Sequence, residues 1–217
     1  RFMHEFSKYI NKLDTSDYLM AISMDLSSYD LIVSTIPVSL KTDVPVIEVS
    51  AYLYKRDVDK ILTALKGEES IKEIKELFDK DMFFKINESK KTNRDEVLKE
   101  MLDQTKGKFD KNIYLKELMK RENLASTGLE NKVAIPHPLN PVTDFNFLGV
   151  YINPRGIDWA DKKINVVILL NLNDNIKRTT LENFYKYLSE FLNDDKKILE
   201  ALKSESLEEF WQVFFKN

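Results

Sequence analysis

The chain has no cysteine, only two histidines and two tryptophans, five glycines and six prolines among its 217 residues. Without cysteine there is no disulfide framework, no thiolate metal site and no cysteine nucleophile. With only His4 and His137, sites built on three or more imidazoles are excluded, and neither a metal nor a cofactor is expected. No apolar run approaches the ~20 residues that span a bilayer. No charged-then-apolar leader with a small-residue cleavage site is visible. The expectation is a cytoplasmic protein without membrane contact. Charge of one sign is lacking too: 33 Lys plus Arg stand against 36 Asp plus Glu, a net charge of -3. That leaves no basic footprint for nucleic acid, so direct contact with DNA or RNA is not expected. Core material is plentiful, with 43% apolar residues, thirteen Phe and nine Tyr, which argues against disorder. Neither a repeat nor a low-complexity segment is found. The chain opens at Arg1 rather than Met, and the expectation is a piece of a longer protein.

Patterning predicts strands and helices in alternation, an α/β protein. In residues 1–66, Tyr9, Ile10 and Leu13 suggest a strand and Asp17 to Met24 a helix. Leu31 to Ile36, closed by Pro37, and Val44 to Ser50 are short β-branched runs of the kind that form parallel strands. Val58, Ile61, Leu62 and Leu65 mark one face of a helix over Lys55 to Lys66, with Gly67 as its stop. Residues 67–80 read as a charged amphipathic linker helix. Residues 81–217 then form a second domain. Its predicted strands are Met82 to Ile86, Val133 to Ile135, Phe145 to Ile152 and Ile164 to Leu172. Its predicted helices start at capping boxes Asn93/Glu96, Thr179/Glu182 and Ser206/Glu209, with a further one over Ile113 to Arg121.

The segment from Arg121 to Pro138, RENLASTGLENKVAIPHP, is the informative one. His137 stands between Pro136 and Pro138, and residues before proline are driven to extended backbone. Proline also lacks the N–H of a ladder, so this stretch belongs at a strand end or edge. An imidazole on so stiff a backbone is pre-organised for nucleophilic attack, for instance on phosphorus. Arg121, sixteen residues earlier, offers a planar guanidinium for a phosphate dianion, and the turn at Gly128, Glu130 and Asn131 would fold it back. A lone histidine is also commonly a satisfied structural residue, and that reading stands beside the nucleophile. His4, Ser34, Thr35 and Ser50 receive only structural readings, the three hydroxyls as partners of backbone groups. Tyr185 and Tyr187 sit one inward and one outward, and Trp159 and Trp211 read as core anchors.

The string Arg-Glu-Asn-x-Ala-Ser-Thr-Gly followed by Val-Ala-Ile-Pro-His-Pro resembles the phosphorylation-site motif of enzyme IIA domains of the mannitol/fructose type, from the bacterial phosphoenolpyruvate:sugar phosphotransferase system. The resemblance covers roughly residues 80–217, including Pro154-x-Gly156-Ile157-x-Trp159 before the long apolar strand. It implies a mixed sheet flanked by helices. It also implies that His137 accepts phosphate from the phosphocarrier HPr, that Arg121 lines the site and that Glu122 supports it. Many members carry a second active-site histidine at the start of the following helix. Here that region, Lys177 to Asn183, holds none, which puts transport-grade transfer in doubt and bears less on phosphate as a signal.

Residues 1–66 resemble the second half of an enzyme IIB-like domain, through Tyr29 to Pro37 and Val44 to Ser50. The variety resembled lies in sugar-responsive regulators with PTS regulation domains. The implied first strand and phosphate loop would precede Arg1. The implied function is a phosphorylation-responsive C-terminal module of a transcriptional regulator, an antiterminator or activator. Its implied partners are HPr, a sugar-specific IIB protein and the parent's other domains, with a homodimer through the parent left open. The alternatives are a phosphocarrier component of a sugar transporter and a scaffold that binds without phosphorylation.

Overall fold

The computed structural model describes residues 2, 6–86, 92–105, 107 and 109–216, so His4 lies outside the described residues. Two compact units form, Arg1–Lys72 and Glu73–Asn217.

In the first unit, helix α1 (Tyr18–Ser23) is capped by Asp17, whose carboxylate accepts from the Met20 N–H at 2.9 Å. The two β-branched runs form β1 (Ile32–Ser34) and β2 (Val46–Glu48), paired in parallel with Val33 opposite Ile47. Helix α2 (Lys55–Leu77) follows, and its last turn, from Glu73 on, belongs to the second unit. Phe6, Val49 and Ile61 are buried, with Val33, Ile47, Val58 and Leu65 packed around them. The strand expected at Tyr9, Ile10 and Leu13 does not form. The chain there turns, closed by Tyr9 N–H donating to the Phe6 carbonyl at 2.9 Å. Gly67 does not stop α2. An interior glycine costs a helix only about 1 kcal/mol relative to alanine, and no proline or left-handed turn follows it. Ser34 does satisfy backbone groups, donating to the Ile36 carbonyl at 2.7 Å. Ser50 instead donates to the buried carboxylate of Asp57, which also accepts from the Tyr54 N–H at 3.0 Å. The Ser50 hydroxyl holds the Asp57 carboxyl below its ordinary range.

The second unit is built on a five-stranded mixed sheet in the order β3 (Phe78–Lys85), β6 (Phe147–Trp159), β7 (Lys162–Asn171), β5 (Val133–Ala134), with β4 (Thr92–Asn93) beside the far end of β6. β6 and β7 are antiparallel, and the other pairings are parallel. β6 runs seven residues past the expected end at Ile152, through Pro154. It does so by a register shift between Ile152 and Ile157, where Gly156 takes φ 93° and Asn165 Nδ2 donates to the carbonyls of Asn153 and Pro154 at 2.9 and 3.0 Å. A bulge tolerates proline's missing donor, and the positive φ suits glycine.

Helices α3 (Arg94–Gln104) and α4 (Lys111–Leu124) begin at the side-chain caps Asn93 and Asp110. Their Val97, Leu98, Met101, Leu102, Tyr114 and Leu118 cluster with Val167 and Leu169 of β7. The alternate β7 residues Val166, Ile168 and Leu170 are buried as well, so both sheet faces are covered. Three further helices follow: α5 (Arg178–Leu192), α6 (Asp195–Ala201) and α7 (Leu207–Phe214). Phe214 stands 5.4 Å from Phe191, 5.6 Å from Phe210 and 6.0 Å from Phe78, ring centre to ring centre, so β3, α5 and α7 share one aromatic cluster. Ser206 caps α7 as expected, accepting from Glu209 N–H at 3.1 Å. Tyr187 is the inward tyrosine and Tyr185 the outward one.

The expected Thr179/Glu182 box is absent. The helix already includes Arg178, and Glu182 pairs with Arg178 at 2.7 Å. Lys177, at the N-cap position, makes no side-chain cap bond. A carboxylate from another helix serves this end: Glu73 of α2 accepts from the Thr180 hydroxyl in the first turn and pairs with Lys177. The opposite ends of that arrangement, acid and helix N-terminus, attract. Lys177 and Thr180 hold the Glu73 carboxyl below its ordinary range. A carboxyl titrating lower in the folded chain stabilises it above the unfolded value and loses that effect as pH falls through the folded value. Glu73→Gln should therefore lower stability at pH 7 by roughly 1 kcal/mol. The gap to the native chain should close on acidification. Urea unfolding followed by tryptophan fluorescence reads this unit alone, because Trp159 and Trp211 both lie in it. A gap unchanged at pH 3 would contradict the account.

Candidate functional site

β5 is an edge strand, and His137 follows it by three residues. The Leu170 N–H of β7 donates to the Pro136 carbonyl at 2.9 Å, so the Pro-His-Pro segment continues alongside β7 beyond the last regular pair. The chain then crosses the ends of β7 and β6. Asn171 Nδ2 donates to Thr143 Oγ1 and to the Phe145 carbonyl, both at 2.6 Å, and Asn173 Nδ2 to the Thr143 carbonyl at 2.8 Å. Two asparagines thus tie the segment that leaves His137 to the end of the long central strand.

Arg121 lies in the last turn of α4, half-buried like His137. Arg121 Nε donates to His137 Nε2 at 3.1 Å, and Nη1 donates to the Ala125 carbonyl at 2.7 Å. His137 Nδ1 lies 2.9 Å from the Ile135 carbonyl oxygen. A carbonyl only accepts and a guanidinium only donates. The two contacts together assign the proton to Nδ1 and the lone pair to Nε2. The nitrogen able to act as nucleophile is therefore the one that faces the cation.

Glu122 is buried at 4% exposure and does not touch His137. It accepts from the Thr127 hydroxyl, from the Thr127 N–H at 3.2 Å and from Trp159 Nε1 at 3.1 Å. Beyond it the chain makes a tight hairpin. Leu129 N–H donates to the Val133 carbonyl at 2.8 Å, Ile135 N–H to the Thr127 carbonyl at 3.3 Å, and Gly128 bridges to Ala134. Lys132 turns the corner with φ 67°. This hairpin, with Asn131 Oδ1 accepting from Val133 N–H at 3.3 Å, brings Arg121 back to His137.

The structure thus brings two of the three sequence-derived residues, Arg121 and His137, into direct contact, and sets the third behind them. Sequence reasoning missed the carbonyls of Ile135 and Ala125, which have no side-chain signature. Thr127, the partner of Glu122, lies within the Arg121–Pro138 segment, where nothing in the residue pattern marks it as that partner. The region Lys177 to Asn183 supplies a threonine hydroxyl and an ammonium bound to Glu73, and no imidazole. Among the described residues no cluster of three or more His, Cys, Asp or Glu is arranged to hold a metal, and no helix is long and apolar enough to cross a membrane.

The chain is similar to the probable licABCH operon regulator of Bacillus subtilis (strain 168), 31% identical over 209 residues. That alignment takes in 96% of this chain and 32% of the relative, so the chain spans about a third of that protein's length. Two solved structures share the fold. One is the complex of enzyme IIAMTL and phosphorylated enzyme IIBMTL from Escherichia coli, with a TM-score of 0.51 and 18% identity over 64% of this chain and 98% of the matched one. The other is nitrogen regulatory protein IIA-Ntr from Neisseria meningitidis, with a TM-score of 0.52 and 17% identity over 65% and 98%. Residues 76–217 match the sequence profile of the phosphoenolpyruvate-dependent sugar phosphotransferase system, EIIA 2, and the chain belongs to that family.

Proposed function

We propose that this chain is a phosphorylation-responsive module of a sugar-operon transcriptional regulator, and that His137 is its phosphate acceptor. The observation that carries the proposal is the pair of contacts on one imidazole: Nδ1 on the Ile135 carbonyl and Nε2 facing Arg121 Nε at 3.1 Å. The donor is HPr or a IIB protein carrying a phosphoryl group. Nε2 attacks phosphorus, the bond to the donor's atom breaks, and the phosphoryl group is left on Nε2 of His137. Nε2 carries no proton, so none has to leave it. The positive charge that develops on the ring is spread to Nδ1–H and held by the Ile135 carbonyl. Arg121 releases the ring nitrogen as the new bond forms and offers its N–H groups to the phosphoryl oxygens. Its Nη1 bond to the Ala125 carbonyl keeps the guanidinium at the site throughout.

Likeness over 96% of the chain to an operon regulator supports the regulatory role. A phosphate dianion added at the end of an edge strand is a large local charge change, able to alter how domains of a regulator pack. In this reading residues 1–66 are part of a IIB-like domain and 81–217 the IIA-like one, the protein works in the cytoplasm, and nucleic acid is bound by other parts of the parent. A phosphocarrier IIA (IIBA) component of a sugar transporter is the second reading, favoured by the family itself. The absence of an imidazole in Lys177 to Asn183 weighs against it.

Incubation with phosphoenolpyruvate, enzyme I and HPr, followed by intact-mass measurement, should show one acid-labile phosphate. His137→Ala should show none. A gain that persists in His137→Ala, or no gain in the native chain, would overturn the assignment. Arg121→Lys should slow phosphorylation roughly tenfold or more, because an ammonium cannot reproduce the planar fork. Rapid onward transfer of the phosphate to a IIB protein would favour the carrier over the regulator.

A further inference from the structure

We infer that Trp159, Glu122 and Thr127 form a buried clamp that sets the tautomer and aim of His137 through the main chain of Ile135. This rests on the reading of His137 as phosphate acceptor for its consequence, and on geometry alone for its existence. Trp159 ends β6 and is wholly buried. A buried indole N–H needs an acceptor, and Glu122 Oε2 supplies it at 3.1 Å. Glu122 is buried between two strictly different elements, the last turns of α4 and the end of β6, so its acceptor oxygens join them. A buried acid demands further donors. Both come from one residue, the N–H and hydroxyl of Thr127.

Thr127 passes the constraint on. Its carbonyl accepts from the Ile135 N–H at 3.3 Å, and two atoms later along the chain the Ile135 carbonyl holds His137 Nδ1 at 2.9 Å. On the other side, Leu170 N–H holds the Pro136 carbonyl at 2.9 Å, and proline's fixed φ removes most remaining freedom. The Ile135 peptide is thus gripped from both flanks. The Thr127 flank traces back to the carboxylate of Glu122, the residue next to Arg121 in α4. Gly128 permits the approach: a Cβ there would stand 3.0 Å from Trp159 Cδ1 and 3.3 Å from Ile164 Cδ1. The clamp therefore aligns two things at once. It places the end of α4, which carries Arg121, and it orients the carbonyl that keeps the proton on Nδ1. If the clamp is lost, the Ile135 carbonyl and the helix end that carries Arg121 shift together, and with neither contact held the proton is free to move to Nε2, which would then be blocked as a nucleophile. Trp159, Glu122 and Thr127 are positioning residues, since none touches the imidazole.

The test is histidine-selective ¹⁵N NMR on the full chain at a pH where the ring is neutral, with His137→Ala identifying the signal against that of His4. The native chain should show a protonated Nδ1 and a bare Nε2. Trp159→Phe deletes the N–H donor and keeps most of the ring. Thr127→Val deletes the hydroxyl and keeps the shape. Each should shift His137 toward the Nε2–H form and slow phosphorylation by HPr roughly ten- to a hundredfold, the scale of a small misplacement at a reacting atom. Thr127→Ser should restore both. Should Trp159→Phe fail to fold, Thr127→Val and Thr127→Ser carry the test. Lowered thermal stability with tautomer and rate unchanged would reduce the cluster to a structural one and overturn the inference. If the native chain takes no phosphate, the acceptor reading fails, and the tautomer shift still decides whether the clamp exists.

Discussion

A single imidazole held between two partners of opposite, fixed hydrogen-bonding sense is the constraint on which the candidate site depends. The Ile135 carbonyl can only accept and the Arg121 guanidinium can only donate, so together they leave one tautomer. Everything around them serves to keep those two groups in place. The prolines on either side of His137 limit the backbone. The hairpin from Thr127 to Ile135 closes the sixteen-residue gap between arginine and histidine. The asparagines at the end of β7 anchor the chain that leaves the site.

The sheet puts this arrangement at the end of an edge strand. β5 and β7 are parallel, so the exit from β5 lies at the end of β7 where the chain passes toward α5. β6 starts at the same edge, because it runs antiparallel to β7, and β3 starts beside β6. Functional groups at the carboxyl ends of parallel strands are a general property of α/β sheets, which leave a crevice there. The edge position of β5 means that His137 is flanked by a helix end on one side and by the central hairpin on the other.

The start of α5 shows how a departure from the family pattern is absorbed. Lys177 to Asn183 lacks the histidine that the resemblance led one to expect. The end of the helix is served by Glu73, reaching from α2 to the Thr180 hydroxyl and to Lys177. A carboxylate at a helix N-terminus is electrostatically favourable whichever element supplies it. The local capping pattern Thr179/Glu182 was therefore a misleading signal: it is a statement about neighbours in sequence, and the acid that won is a neighbour only in space.

What the sequence determined by itself was the alternating α/β pattern and most helix starts, and it singled out the pair Arg121 and His137 that the fold brings into contact. These follow from short-range physics: periodicity, side-chain caps one turn away, and proline's effect on its predecessor. The first strand, the glycine stop and the Thr179 box were misread, because each local preference is worth about 1 kcal/mol or less and packing overrides it. Only the tertiary structure decided that Glu122 accepts from Trp159 and Thr127 rather than from His137, and that main-chain carbonyls of Ile135 and Ala125 orient the imidazole and the guanidinium. Carbonyl groups are the same at every residue, so their roles leave no mark in a sequence. They become specific only when the backbone is folded and one of them stands 2.9 Å from a ring nitrogen.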